Sequence, residues 1–130
     1  MTIFSKIIKG EIPCNKIAES DKFIAFLDIE PIVTGHVLGV PKLEINKIFD
    51  VPDDYVAEML VFAKPIAKAI EQVFDCKRCG ISVIGIEVPH AHMHLVPINS
   101  ASDLNFTRNK LVTTPKELNK IQELIVSNLG

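Results

Sequence analysis

An α+β fold with an antiparallel sheet is the expectation from three features of the chain. Short apolar runs follow one another through brief polar turns, so consecutive strands can pair locally. One long stretch carries helical periodicity. A second helix is announced near the C-terminal end by a strong capping sequence. No internal repeat, low-complexity tract or linker interrupts the 130 residues, which read as one domain, 1–130.

The elements follow in order. Ile3 to Lys9 can form a short helix, ended by Gly10 and a turn at Pro13. Lys16 to Glu19 and Phe23 to Ile29 are strand-like and joined by Ser20-Asp21-Lys22. Pro31 to Gly35 is a connection, and His36 to Val40 makes a third strand that Pro41 closes. Asp53 or Asp54 can cap a long helix reaching about Phe74, whose apolar face is Val56, Met59, Leu60, Ala63, Ile66, Ala67, Ile70 and Val73. Pro65 falls inside that pattern and should kink or split it. Ile81 to Ile84 and His90 to Ile98 complete the strands. Thr114-Pro115-Lys116-Glu117 supplies a cap, a first-turn proline and a glutamate set for a capping box, starting a helix that runs to about Ser127.

Composition narrows the function. Apolar residues make up 48% and charged residues 23% of the chain, a globular balance. A net charge of -2 and a pI near 6.1 lack the basic footprint that a nucleic acid polymer demands. A small anionic ligand needs only a local pocket. The opening MTIFSKIIKG is not followed by an apolar stretch or cleavage site of signal-peptide type, and no apolar run is long enough to span a membrane. Three cysteines without regular spacing make no disulfide framework, so a cytoplasmic location is expected. Cys76 and Cys79 form a C-x-x-C that neither a second pair nor a nearby histidine completes as a metal or redox site.

Three of the four histidines alternate in Pro89-His90-Ala91-His92-Met93-His94-Leu95-Val96-Pro97. On an extended strand they would line one face, about 6.6 Å from one to the next, with Ala91, Met93 and Leu95 opposite. A solvated strand face would suit one isolated histidine better than three flanked by apolar residues and two prolines. A zinc site is a second reading, but three rings in line span roughly 13 Å, too far for one tetrahedral ion. A further ligand would have to come from His36, Glu44, Glu87 or a cysteine. The third reading is nucleophilic catalysis on phosphorus: a neutral imidazole attacks, and neighbouring rings orient it, set its tautomer and donate to phosphoryl oxygens.

His90-Ala91-His92-Met93-His94-Leu95-Val96 resembles, at every position, the His-φ-His-φ-His-φ-φ signature of the histidine triad (HIT) family, φ being apolar. The resemblance extends to Ile3 through Pro13 as the opening helix, Phe26-Leu27-Asp28-Ile29-Glu30-Pro31 as the nucleotide-pocket strand, and Gly35-His36-Val37-Leu38-Gly39-Val40-Pro41-Lys42 as the next strand and turn. It implies a HIT-like fold, with a five-stranded antiparallel sheet and helices, pairing into a homodimer. It implies a nucleotide hydrolase of phosphoramidase type, cleaving substituents from the α-phosphate of purine nucleotides through a nucleotidyl-histidine. His92 would be the nucleophile, His94 would contact the phosphate and assist proton transfer, and His90 would position the centre ring with support from His36. Ile3, Phe4, Ile7 and Phe26 would hold the base and Asp28 the ribose hydroxyls. The ligand would be a purine nucleoside monophosphate or phosphoramidate, with no cofactor and no metal required.

Two departures qualify the resemblance. Family members usually carry an asparagine and a Gly-Gln ahead of the triad; here the segment reads Ser82-Val83-Ile84-Gly85-Ile86-Glu87-Val88-Pro89. Ile86 replaces the glutamine and cannot donate to a leaving group, which makes a binding or interaction module with weak catalysis the alternative function. Many bacterial members also hold structural zinc through two cysteines in the opening helix and a histidine after the Pro-Lys turn. Thr2, Ser5 and Glu44 stand at those places, and losing all three together argues against that zinc site.

Overall fold

The computed structural model describes residues 1–130. Strands β1 (Lys16–Glu19), β2 (Phe23–Leu27), β3 (Val37–Pro41), β4 (Arg78–Ser82) and β5 (Met93–Ile98) form one sheet in the order β1-β2-β3-β5-β4, antiparallel at every pairing. Helices α1 (Ile3–Ile8), α2 (Asp53–Val73) and α3 (Pro115–Ser127) complete it, with single 3-10 turns at Ile48–Asp50 and Ala101–Leu104. The expected α+β architecture is the one observed.

Strand alternation sorts the apolar residues into two layers. Phe23, Ala25 and Leu27 of β2, Val37 of β3, and Met93 and Leu95 of β5 share one core with Met59, Ala63, Ile66 and Ile70 of α2 and Leu118 and Ile125 of α3. Ile24, Phe26, Leu38 and Val40, the intervening residues, form a second and smaller cluster with Phe4 of α1. Both faces are therefore covered, and all five residues of β2 and of β3 are buried. Ile66 and Ile70 are fully enclosed in the larger core; truncating either to alanine costs about 2–5 kcal/mol by the usual cavity penalty.

Local chemistry sets the ends of the elements. Thr2 caps α1 by accepting from the Ser5 N–H. Thr114 caps α3 in the same way from the Glu117 N–H, with Pro115 in the first turn. Asp53 and Asp54 lie within the first turn of α2, after Pro52 at the cap position, and favour it through the helix dipole rather than by capping. Pro65 leaves α2 a single helix instead of splitting it. Pro65 and Val61, whose carbonyl loses its helical donor, are both on the exposed side, where water can satisfy that oxygen.

Several strand boundaries differ from those read in the sequence; β3 starts at Val37 rather than His36 and takes in Pro41, and β4 ends at Ser82 rather than Ile84. β2 stops at Leu27 because Asp28 turns the chain: its Oδ1 accepts the Glu30 N–H at 2.9 Å, and its own N–H donates to the His36 carbonyl at 3.0 Å. β4 starts three residues early, at Arg78, opposite Ile98. β5 starts at Met93 rather than His90. The β3–β5 ladder pairs Gly39 with Met93, and the strand partner beyond is Pro41, which has no N–H to continue it.

Candidate active site

The smaller, α1-covered face of the sheet carries the site. His94 lies in β5 directly across from Leu38 of β3, which is itself across from Phe26 of β2. Met93 and Leu95 on either side of it point into the larger core, so alternation delivers the His94 ring to the α1 side. His90 and His92 reach the same side from the segment just before β5. That segment is held by Ala91 N–H donating to the Ile45 carbonyl at 2.7 Å and His90 N–H donating to the Val88 carbonyl at 2.8 Å. The three rings are therefore not an evenly spaced row on one strand. The centroids of His92 and His94 are 4.8 Å apart, edge to face, closer than an extended strand places them.

His36 enters from the turn before β3. Gly35 precedes it with φ +95, and a Cβ there would come 2.5 Å from the Phe74 ring. Only glycine can turn the chain at this point without strain, which is what presents His36 to His94 across the sheet.

The hydrogen bonds determine which nitrogen of each ring carries its proton. His90 Nε2 lies 2.8 Å from the Pro41 carbonyl and must donate to it. Its Nδ1 then accepts from the Thr2 hydroxyl at 2.9 Å. His92 Nδ1 lies 2.7 Å from the His90 carbonyl and must donate. That leaves the lone pair of His92 on Nε2. His36 Nδ1 receives the Ile32 N–H at 3.3 Å, so its Nε2–H donates to His94 Nδ1 at 2.9 Å. The remaining proton of His94 is then on Nε2. One ring of the neighbouring pair thus offers a lone pair and the other an N–H.

Burial keeps His36, His92 and His94 neutral. Burial lowers the pKa of His36 to about 3, with the neighbouring His94 adding to the effect. Burial and His92 bring His94 down to about 4. Burial also lowers His92, against the pull of the His90 carbonyl. Asp28 moves the other way: desolvation raises its carboxyl pKa. Its Oδ2 is 3.7 Å from His36 Nδ1, beyond hydrogen-bonding reach.

Around the rings, Phe4 meets His92 edge to face at 5.0 Å and Phe26 at 5.7 Å. Phe4 and Phe26 are buried and form a floor, while Ile3 is 48% exposed and Ile7 is half-buried beside them. Asp28 is half-buried next to His36. His36, His90, His92 and His94 are thus brought together, with the apolar residues expected at a base flanking them. Sequence reasoning missed Phe106, whose ring lies 4.5 Å from His94 and 6.0 Å from His36. Its signal was being the one aromatic residue in the polar stretch 99–114.

Thr2, Ser5 and Glu44 also meet. Glu44 Oε1 accepts from the Thr2 N–H and from the Ser5 hydroxyl, each at 2.7 Å, while the Thr2 hydroxyl reaches His90. Two hydroxyls, one carboxylate and one imidazole, already committed to one another, offer no thiolate and do not fit the structural zinc of related proteins. Cys76 and Cys79 are unpaired, and burial together with Glu71 pushes the Cys79 thiol up to about 12, leaving it a poor nucleophile. A groove of about 400 Å³ between Phe74, Pro97 and Arg108 contains none of the four histidines.

Comparison with known proteins assigns the family. The HIT domain profile matches residues 9–101, and the chain belongs to the histidine triad family. The adenosine 5'-monophosphoramidase of Saccharomyces cerevisiae is 40% identical over 96 residues, covering 73% of this chain and 61% of that protein. The chain therefore spans less than two-thirds of that relative's length. The adenosine 5'-monophosphoramidase of Schizosaccharomyces pombe is 33% identical over 129 residues, covering 98% of this chain and 97% of that protein. The crystal structure of a HIT-like protein involved in cell-cycle regulation from Bartonella henselae superposes with a TM-score of 0.85 at 27% identity, covering 98% of this chain and 96% of the other.

Proposed function

We propose that residues 1–130 act as one HIT domain that hydrolyses purine nucleoside phosphoramidates or related nucleotides at the α-phosphate. The observation that carries this reading is the tautomer of His92. Its Nδ1–H is committed to the His90 carbonyl, so Nε2 presents a lone pair on a ring that burial keeps neutral. In the proposed first step His92 Nε2 attacks phosphorus, a P–N bond forms, and the bond to the leaving amine breaks. Water then attacks the same phosphorus, freeing the nucleoside monophosphate and regenerating the ring. His94 Nε2–H points a donor at the phosphoryl group. An anionic phosphate against His94 opposes the effect of burial and favours its protonated form, which can then pass a proton to the departing amine.

Phe4, Phe26, Ile3 and Ile7 supply the apolar surface for the base, and Asp28 supplies a carboxylate for the ribose hydroxyls. The homologues named adenosine 5'-monophosphoramidases support the substrate class. We place the protein in the cytoplasm, where three unpaired cysteines suit a reducing environment. No helix is long and apolar enough to cross a membrane. Homodimerisation is supported by β4, which is an edge strand bearing exposed Ile81, and by exposed Leu60 and Val61 on α2.

Rapid-quench trapping with an α-phosphate-labelled adenosine phosphoramidate tests the chemistry. Wild-type protein is expected to show a transient nucleotidyl adduct. His92→Ala is expected to lose the adduct and turnover while binding nucleotide within about tenfold of wild type. Full turnover in that variant removes His92 as nucleophile. Nucleotide binding without any adduct in the wild type favours the binding-module reading, to which exposed Ile86 at the expected glutamine position lends support.

A further inference from the structure

A phosphate brings at least one negative charge against His92 and His94, which burial keeps neutral in the free protein. The residues 106–113 form a strap that passes over this side of the molecule. Phe106 packs on His94. Beyond it, the Leu111 N–H donates to the Pro31 carbonyl at 2.8 Å and the Thr113 hydroxyl to the Ile29 carbonyl at 3.1 Å. Between these anchors the strap carries one cation near the site, Lys110. Its Nζ lies 3.4 Å from Glu87 Oε2, three residues ahead of His90. The side chain is only 38% exposed, and the partner carboxylate is 80% exposed. Glu87, the more exposed partner, can therefore swing into solvent at little cost and leave Lys110 free to turn toward the site.

We propose that Lys110 is the phosphate-binding cation of this site, held in the free protein by Glu87 and transferred to the α-phosphate oxygens when a nucleotide enters. This rests on the nucleotide reading above and adds to it the residue that selects for a charged ligand. Lys110 lies in the strap between Phe106, which packs on His94, and Leu111, which bonds Pro31 beside the Ile32 that reaches His36, so the chain carries it along the rim of the site; its charge also bears on Asp28, His94 and His36. It also answers the departure at Ile86. An apolar residue at the glutamine position removes a neutral donor to the phosphoryl region, and a cation from the strap takes over the attraction. An exchangeable ion pair is a suitable holder, since a half-exposed pair contributes little that must be given up on binding.

Calorimetric titration of the full chain with AMP and with adenosine tests the proposal. Lys110→Ala is expected to weaken AMP binding about tenfold or more and to leave adenosine binding unchanged. Lys110→Arg is expected to bind AMP within about threefold of wild type, and Glu87→Gln to bind it a few-fold more tightly. Added salt is expected to shrink the difference between wild type and Lys110→Ala. Unchanged AMP affinity in Lys110→Ala overturns the proposal. An equal loss for adenosine also overturns it, because the lysine then only supports the strap. Wild-type protein that turns over phosphoramidate while Lys110→Ala binds AMP normally refutes this inference alone. Wild-type protein that binds neither ligand refutes the nucleotide reading with it.

Discussion

His36 Nε2 donates a hydrogen bond to His94 Nδ1 over 2.9 Å, and the Ile32 N–H on the far side of the His36 ring makes that the only consistent direction. A histidine from the turn before β3 thus determines which nitrogen of a β5 histidine keeps its proton. His36→Asn is expected to lower kcat by about 10–100-fold, corresponding to about 1–3 kcal/mol for an orienting bond broken at a buried partner. Steady-state kinetics at saturating phosphoramidate check this; unchanged kcat means that His94 needs no such orientation.

In the proposed reaction His94 carries the donor side. His94→Ala is expected to slow the chemical step by about 10²–10⁴. Single-turnover kinetics separate that step from product release. A normal rate constant for adduct formation removes His94 from the first step, and normal adduct decay removes it from the second.

Stability should depend on pH with a sign set by the buried rings. The pKa values of His36 and His94 fall to about 3 and about 4 on folding, against 6.5 for a free imidazole, and that of His92 falls too. Between those values the unfolded chain takes up protons that the folded protein refuses. Stability is therefore complete above about pH 6.5 and declines as pH falls toward 4. Asp28, raised by burial, acts oppositely only in the carboxylate range. Urea midpoints from pH 7 to 4 are expected to drop, and His36→Asn to flatten the drop. A midpoint that stays level across that interval contradicts neutral buried rings.

Thr2 connects helix α1 to the triad. Its oxygen caps the helix by accepting from the Ser5 N–H at 3.1 Å, and its hydroxyl serves His90 Nδ1. Thr2→Val keeps the shape and removes both bonds, at an expected cost of about 1–3 kcal/mol. Thr2→Ser should be nearly neutral. Thermal unfolding of the two variants decides: equal melting temperatures mean that the network around Glu44 does not hold the N-terminal helix in place.

Much of the architecture was legible from local pattern. Thr114-Pro115 and the α3 boundaries followed from capping chemistry, which acts within one helical turn. The two-layer assignment of Met93, His94 and Leu95 followed from strand alternation. Harder to read were the features that depend on a partner strand. The start of β5 moved from His90 to Met93 because Pro41 ends the ladder from the neighbouring strand. Pro65 did not break α2 because the side of the helix it occupies is wet, a property of packing rather than of sequence spacing.

By itself the amino-acid order determined that three imidazoles recur at alternate positions beside a capped helix and a set of short strands, since these are matters of near-neighbour geometry. Their tautomers, the neutrality of His92 and His94, and the company of all three were decided only in three dimensions. His36 meets His94 across 58 residues, and Thr2 meets His90 across 88. Such contacts exist only after strand order β1-β2-β3-β5-β4 has folded both faces closed and withdrawn the rings from water. A proton settles on one nitrogen rather than the other because of the group that faces it, and that facing group is chosen by the tertiary fold.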